Sequence, residues 1–224
     1  MEPSGTSGRI IGILLLSQLS GGILVNFFLT APLFNSPGFL INGALYSNQI
    51  GFSVILGLMI SGLAVAIAIT AFPVFHKFSN AMALWLLSLS VVSLSASAVE
   101  QISVMSLVSF SIEYSAADSA AREQMELIRA VVANARNWAH YVGLLLSGAT
   151  IFLMYATLYR FRLVPRLLST FGLAATVSQL AGVSMPLFGV KLEFLMLAPL
   201  ALSQIALGIW LVARGFSSDE LTAD

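Results

Sequence analysis

Six stretches of this chain are apolar over a length that matters physically. A helix crossing a hydrocarbon core of about 30 Å needs about 20 predominantly apolar residues. Such runs fall at about 9–31, 51–75, 81–112, 131–159, 164–188 and 192–213. The first ends at Pro32, the second carries Pro73 near its end, and the fifth opens at Val164-Pro165, where proline suits a first helical turn. The runs are too long and too continuously apolar for the alternating pattern of barrel strands. The pattern predicts an all-α polytopic membrane protein, a single six-transmembrane-helix bundle over residues 1–224. The first run is too long for a signal-peptide core, only Arg9 precedes it as a positive charge, and no A-x-A site follows it. It therefore reads as an uncleaved span.

Two connections are long. Residues 32–50 are polar but uncharged, with Asn35-Ser36-Pro37-Gly38 as a turn signal. Residues 114–130 carry all the charge of these two connections, on Asp118, Arg122, Glu123, Glu126 and Arg129, and open with Ser115-x-x-Asp118, a capping-box spacing. Ala121, Met125, Ile128 and Val132 then recur at helical spacing. The segment at about 117–130 is expected to form an outer interfacial helix or an extension of the fourth span.

Composition narrows the function classes. Hydrophobic residues make up 58% of the chain and charged residues 9%, against about 25% charged in soluble domains. The ten Lys/Arg balance ten Asp/Glu, so the basic excess that a nucleic-acid partner requires is missing. Cysteine is absent, which removes disulfides, thiolate metal sites and Cys nucleophiles. The lipid bilayer is the one partner that composition demands.

The positive charges set an expected orientation. With the N-terminus inside, the inner loops hold Arg9, Lys77, Arg160, Arg162, Arg166 and Arg214, and the outer side holds Arg122, Arg129, Arg136 and Lys191. The dense group Arg160/Arg162/Arg166 lies in a very short loop and decides the balance. Both termini are expected in the cytoplasm and the protein in the inner (plasma) membrane. Arginines at helix ends snorkel and anchor a loop at the interface; binding of an anionic lipid headgroup is the secondary reading of these three.

Several local motifs recur together. Arg9-Ile-Ile-Gly12 opens the first span, Phe72-Pro73 closes the second, and Ala135-Arg136-Asn137-Trp138 begins the fourth. The run from Tyr159 to Ser169, with Leu163-Val164-Pro165-Arg166 at its centre, bridges the fourth and fifth, with Gly172 following; Gly215-Phe216 ends the sixth. Together these resemble domain-of-unknown-function family 4386, integral membrane proteins of bacteria and archaea. Leu167 stands where that pattern often has tryptophan. The resemblance implies a six-helix membrane domain and supplies no activity, substrate or cofactor.

Chemistry must then come from polar residues at depth, because a charge in the bilayer costs about 2.5–3.5 kcal/mol and needs a partner or a cavity. Counting about 1.5 Å per residue from the inner ends, Glu100 lies at roughly 27 Å, His140 at roughly 28 Å and Arg136 at roughly 36 Å. Asn26, Gln179 and Gln204 lie at roughly 25, 20 and 15 Å. Ser93, Ser97, Ser103 and Ser111 share the Glu100 face of their helix. Two readings follow. In one, Glu100, Arg136 and His140, lined by Gln179, Asn26 and Gln204, form an outward-facing pocket for a small or amphiphilic ligand. In the other, the protein is a structural or regulatory subunit whose Glu-Arg-His cluster only fixes helix register. A membrane-embedded hydrolase is a third and poorer fit, since no Gly-x-Ser-x-Gly elbow is present. One His and one deep Glu fall short of a three-ligand metal set. No catalytic residue, metal or cofactor is expected. Gly143-x-x-x-Ser147 and the small residues of the second span offer close-packing faces, within the chain or to a second copy.

Overall fold

The computed structural model describes residues 3–217. The elements are α1 (Pro3–Ile23), α2 (Phe39–Leu45), α3 (Ser47–Phe78), α4 (Asn80–Ala116), α5 (Ser119–Arg160), α6 (Arg166–Ser184) and α7 (Ala198–Arg214), joined by short π and 3-10 turns. Among the described residues, six helical segments are long and apolar enough to cross a membrane: Gly5–Leu33, Ser47–Phe78, Asn80–Ala116, Ser119–Arg160, Arg166–Phe188 and Phe194–Arg214. The chain is an all-α, multi-pass membrane protein, as its hydropathy pattern predicts.

The helix ends differ from the sequence reading in ways that have local causes. Pro73 lies inside α3, which continues to Phe78. The first span changes geometry before Pro32: α1 gives way to a π turn over Leu24–Leu29, with Thr30 N–H donating to Val25 O at 2.9 Å. The Asn26 side-chain amide donates to the Gly22 carbonyl at 2.9 Å, at the point where the α geometry gives way. Residues 119–130 are helical and run into the fourth span without a break. The cap of α5 is Asp118, whose Oδ1 accepts the Ala121 N–H at 2.9 Å. Ser115 does not fill that role, because α4 extends through it and its hydroxyl bonds back to Ser111 O. At about 1.5 Å per residue, α4 and α5 are roughly 55 and 63 Å long, well beyond a core of about 30 Å.

The chain divides into two compact units. The first comprises the described residues of Met1–Leu19, Gly62–Leu94 and Leu144–Asp224. Its core includes Ile11, Phe75, Tyr155, Leu158, Leu163, Leu207 and Leu211. Two glycines permit its closest approaches. A Cβ on Gly12 would lie 2.8 Å from the Gly208 carbonyl, so α1 rests directly on the α7 backbone. Gly172 of α6 lies under the ring of Tyr155, which is fully buried and donates its hydroxyl proton to Ser203 Oγ at 3.1 Å. Residues of the motifs at 159–169 and 215–216 form part of this core: Leu163, Val164, Ser169 and Phe216 are all buried.

The second unit comprises Ser20–Ser61 and Ser95–Gly143. Its core is Leu33, Ile50, Val104, Leu107 and Val108. The connection read as loop at residues 32–50 contains α2. Buried Asn42 donates to Pro32 O and Asn35 O, both at 2.8 Å. The Ser111 hydroxyl of α4 stands between Leu40 O and Ala44 N–H, an i, i+4 pair of α2, donating to one at 2.8 Å and accepting from the other at 2.7 Å. Such a bridge replaces a helical hydrogen bond with one that also fastens the helix to its neighbour.

Candidate functional site

The site is built on two helices of the second unit. Arg136 and His140 are four residues apart on α5, so they project from one face, one above the other. Glu100 reaches them from α4. A single carboxylate oxygen, Oε1, accepts from Arg136 Nη2 at 3.1 Å and pairs with His140 Nδ1 at 2.8 Å. Gly143, one turn further on, lies beside the other oxygen: a Cβ there would stand 3.7 Å from Oε2, in ordinary van der Waals contact.

The three side chains differ in access. Those of Arg136 and Glu100 are 11% and 14% exposed and that of His140 is 27% exposed. The imidazole is therefore the edge of the cluster and the guanidinium its interior. The guanidinium carbon stands 4.6 Å from the centroid of the Phe34 ring, a cation–π contact that covers one face. Arginine has five N–H donors in a fixed fork. Among the described residues this fork makes one hydrogen bond, to Glu100, and its buried Nε has no partner. An unspent buried donor is costly and calls for an acceptor.

The structure brings Glu100, Arg136 and His140 together. Asn26 is exposed on the π turn and bonded to Gly22 O. Gln179 and Gln204 belong to the first unit. There Gln179 is buried and donates to Leu144 O at 3.4 Å, its Oε1 pressed against Gly148 without a hydrogen-bond partner. Gln204 is half-buried on α7. Three of the four serines of the α4 stripe bond neighbouring helices: Ser97 pairs with Ser61 at 2.7 Å, Ser93 with Thr150 at 3.0 Å, and Ser111 holds α2, while Ser103 bonds back to Val99 O. Among the described residues no serine hydroxyl bonds His140, and no three His, Asp or Glu side chains converge as a metal set.

The family described as a domain of unknown function, DUF4386, matches residues 10–215. The chain belongs to the DUF4386 family. No curated protein and no solved structure matches it. The match spans both units and every residue of the Glu100 cluster. A DUF4386 assignment carries no residue roles, so the chemistry rests on the geometry. Phe34 is the site residue that sequence reasoning missed. It sits in an irregular connection, where hydropathy has no period to show which way a side chain faces.

Proposed function

We propose that this protein binds a small or amphiphilic ligand bearing an anionic or strongly accepting group at the Glu100–Arg136–His140 cluster, near the outer membrane boundary. The carrying observation is the Arg136 guanidinium, nine-tenths buried with one N–H spent on Glu100 and its Nε unpartnered. Glu100 orients the arginine, Phe34 covers one face, and His140 is the most exposed of the three. An acceptor that reached the guanidinium would meet donors already desolvated, which reduces the cost of binding. The same reading sets both termini in the cytoplasm and the protein in the inner membrane, supported by the arginines of the α5–α6 turn.

One observation favours a structural reading instead. Arg136 and His140 converge on the same Glu100 oxygen, and a paired cluster of this kind can hold α4 and α5 in register without any ligand. The two readings separate in a titration. The full chain in phosphatidylcholine nanodiscs is titrated with dodecanoate, with dodecanol as the uncharged control. Binding predicts a higher unfolding temperature with dodecanoate alone, and loss of that response in Arg136→Gln. Absence of a response to dodecanoate in the wild type, or an equal response in the variant, overturns the proposal in favour of a register lock.

A further inference from the structure

We propose a second site: the α5–α6 turn binds the phosphate headgroup of an anionic phospholipid through Arg160, Arg162 and Arg166. It lies in the first unit and does not depend on the Glu100 cluster.

The backbone of the turn supports this assignment. Helix α5 ends with Leu163 N–H donating to Leu158 O at 3.1 Å and Arg162 N–H donating to Tyr159 O at 3.4 Å. Arg162 between them has φ 51°. These are the two bonds and the left-handed residue of a Schellman motif, and buried Leu158 and Leu163 supply its hydrophobic contact. Glycine usually takes the left-handed position, because a Cβ makes that conformation costly. An arginine holds it here. Arg166 is the first residue of α6, where the positive end of the helix disfavours a cation. Two of the three arginines thus occupy positions that local physics assigns to other residues. Such violations gather at functional sites, and a bound anion would offset the electrostatic one.

The surroundings fit a lipid. The Arg160 guanidinium lies 5.5 Å from the Phe161 ring centroid and that of Arg166 lies 5.7 Å from the Tyr159 ring. Phe161 stacks on Phe78 at 5.0 Å, which ties the turn to the α3–α4 corner beside exposed Lys77. All three arginines are exposed. Leu167, adjacent to Arg166, is 84% exposed. An apolar side chain presented beside three cations matches a headgroup with an acyl chain attached better than a free anion.

The test uses the full chain in mild detergent, titrated with phosphatidylglycerol or phosphatidylcholine and read by native mass spectrometry, with unfolding temperature measured in parallel. Wild type is expected to retain phosphatidylglycerol in preference to phosphatidylcholine. Arg160→Gln removes one charge at the end of α5, outside the left-handed position, and should lower phosphatidylglycerol affinity about five-fold. Arg166→Gln should lower it by a similar factor, independently of the turn geometry. Equal retention of the two lipids by wild type, or wild-type phosphatidylglycerol affinity in both variants, overturns the proposal. Stabilisation by inorganic phosphate equal to that by phosphatidylglycerol would reassign the turn to a free anion and also overturn it.

Discussion

The Nδ1 atom of His140 stands 2.8 Å from Glu100 Oε1, joining α5 to α4 at residues separated by 40 positions in the chain. The same oxygen holds Arg136 at 3.1 Å, so one carboxylate oxygen ties two side chains of α5 to α4. Removing it has consequences beyond the loss of one bond.

Glu100→Gln leaves the Arg136 charge buried and uncompensated. Breaking a buried pair from one side costs about 3–5 kcal/mol, whereas replacing both partners is far milder. The double variant Glu100→Leu/Arg136→Met is therefore expected to be more stable than Glu100→Leu alone. Chemical denaturation of the four members of the cycle in detergent checks this; strictly additive losses would show that the pair is not coupled.

Gly172→Ala places a methyl group in the space held by the Tyr155 ring. Overpacking of this kind costs about 1–3 kcal/mol. In a Tyr155→Ala background the same substitution should lose most of its effect. Thermal unfolding of the single and double variants decides the point, and an unchanged cost in that background would contradict the packing described here.

Gly12→Leu and Gly22→Leu provide a second contrast on one helix. A side chain at Gly12 meets the backbone of Gly208 and Val212, whereas nothing lies within 4 Å of a Cβ at Gly22. The first substitution should lower the unfolding temperature and the yield of monodisperse protein on size-exclusion chromatography. The second should leave both near wild type.

Ser111→Ala removes the hydroxyl between Leu40 O and Ala44 N–H. A lost bond to a buried group costs about 1–3 kcal/mol, and its effect should be concentrated in α2. Hydrogen exchange should rise across residues 39–45, with little change in α7. The matching change at exposed Ser106, bonded only to Ile102 O, should be silent.

Much of the site was readable from spacing. Arg136 and His140 share a face because of the helical repeat, and depth counted from the helix ends brought Glu100 level with His140. The same counting also gathered Asn26, Gln179 and Gln204, which the structure places in separate settings. Depth is one coordinate, and it carries no information on azimuth. Asn26 illustrates this: its helix widens into a π turn, the side chain ends exposed on Gly22 O, and no period in the sequence announces that change.

The sequence by itself determined the class of this protein. Long apolar runs cannot be exposed to water, their backbone can be satisfied in lipid only within helices, and twenty charged residues in 224 cannot cover a soluble surface. Family membership was equally legible in its local motifs. Only the tertiary structure decided that Glu100 gathers Arg136 and His140 on one oxygen, that Ser93, Ser97 and Ser111 of α4 bond neighbouring helices, and that Arg162 stands in a left-handed turn. Burial of apolar surface is proportional to area and indifferent to direction, so composition and periodicity report it faithfully. A hydrogen bond depends on angstroms and angles, and those exist only once the helices have packed.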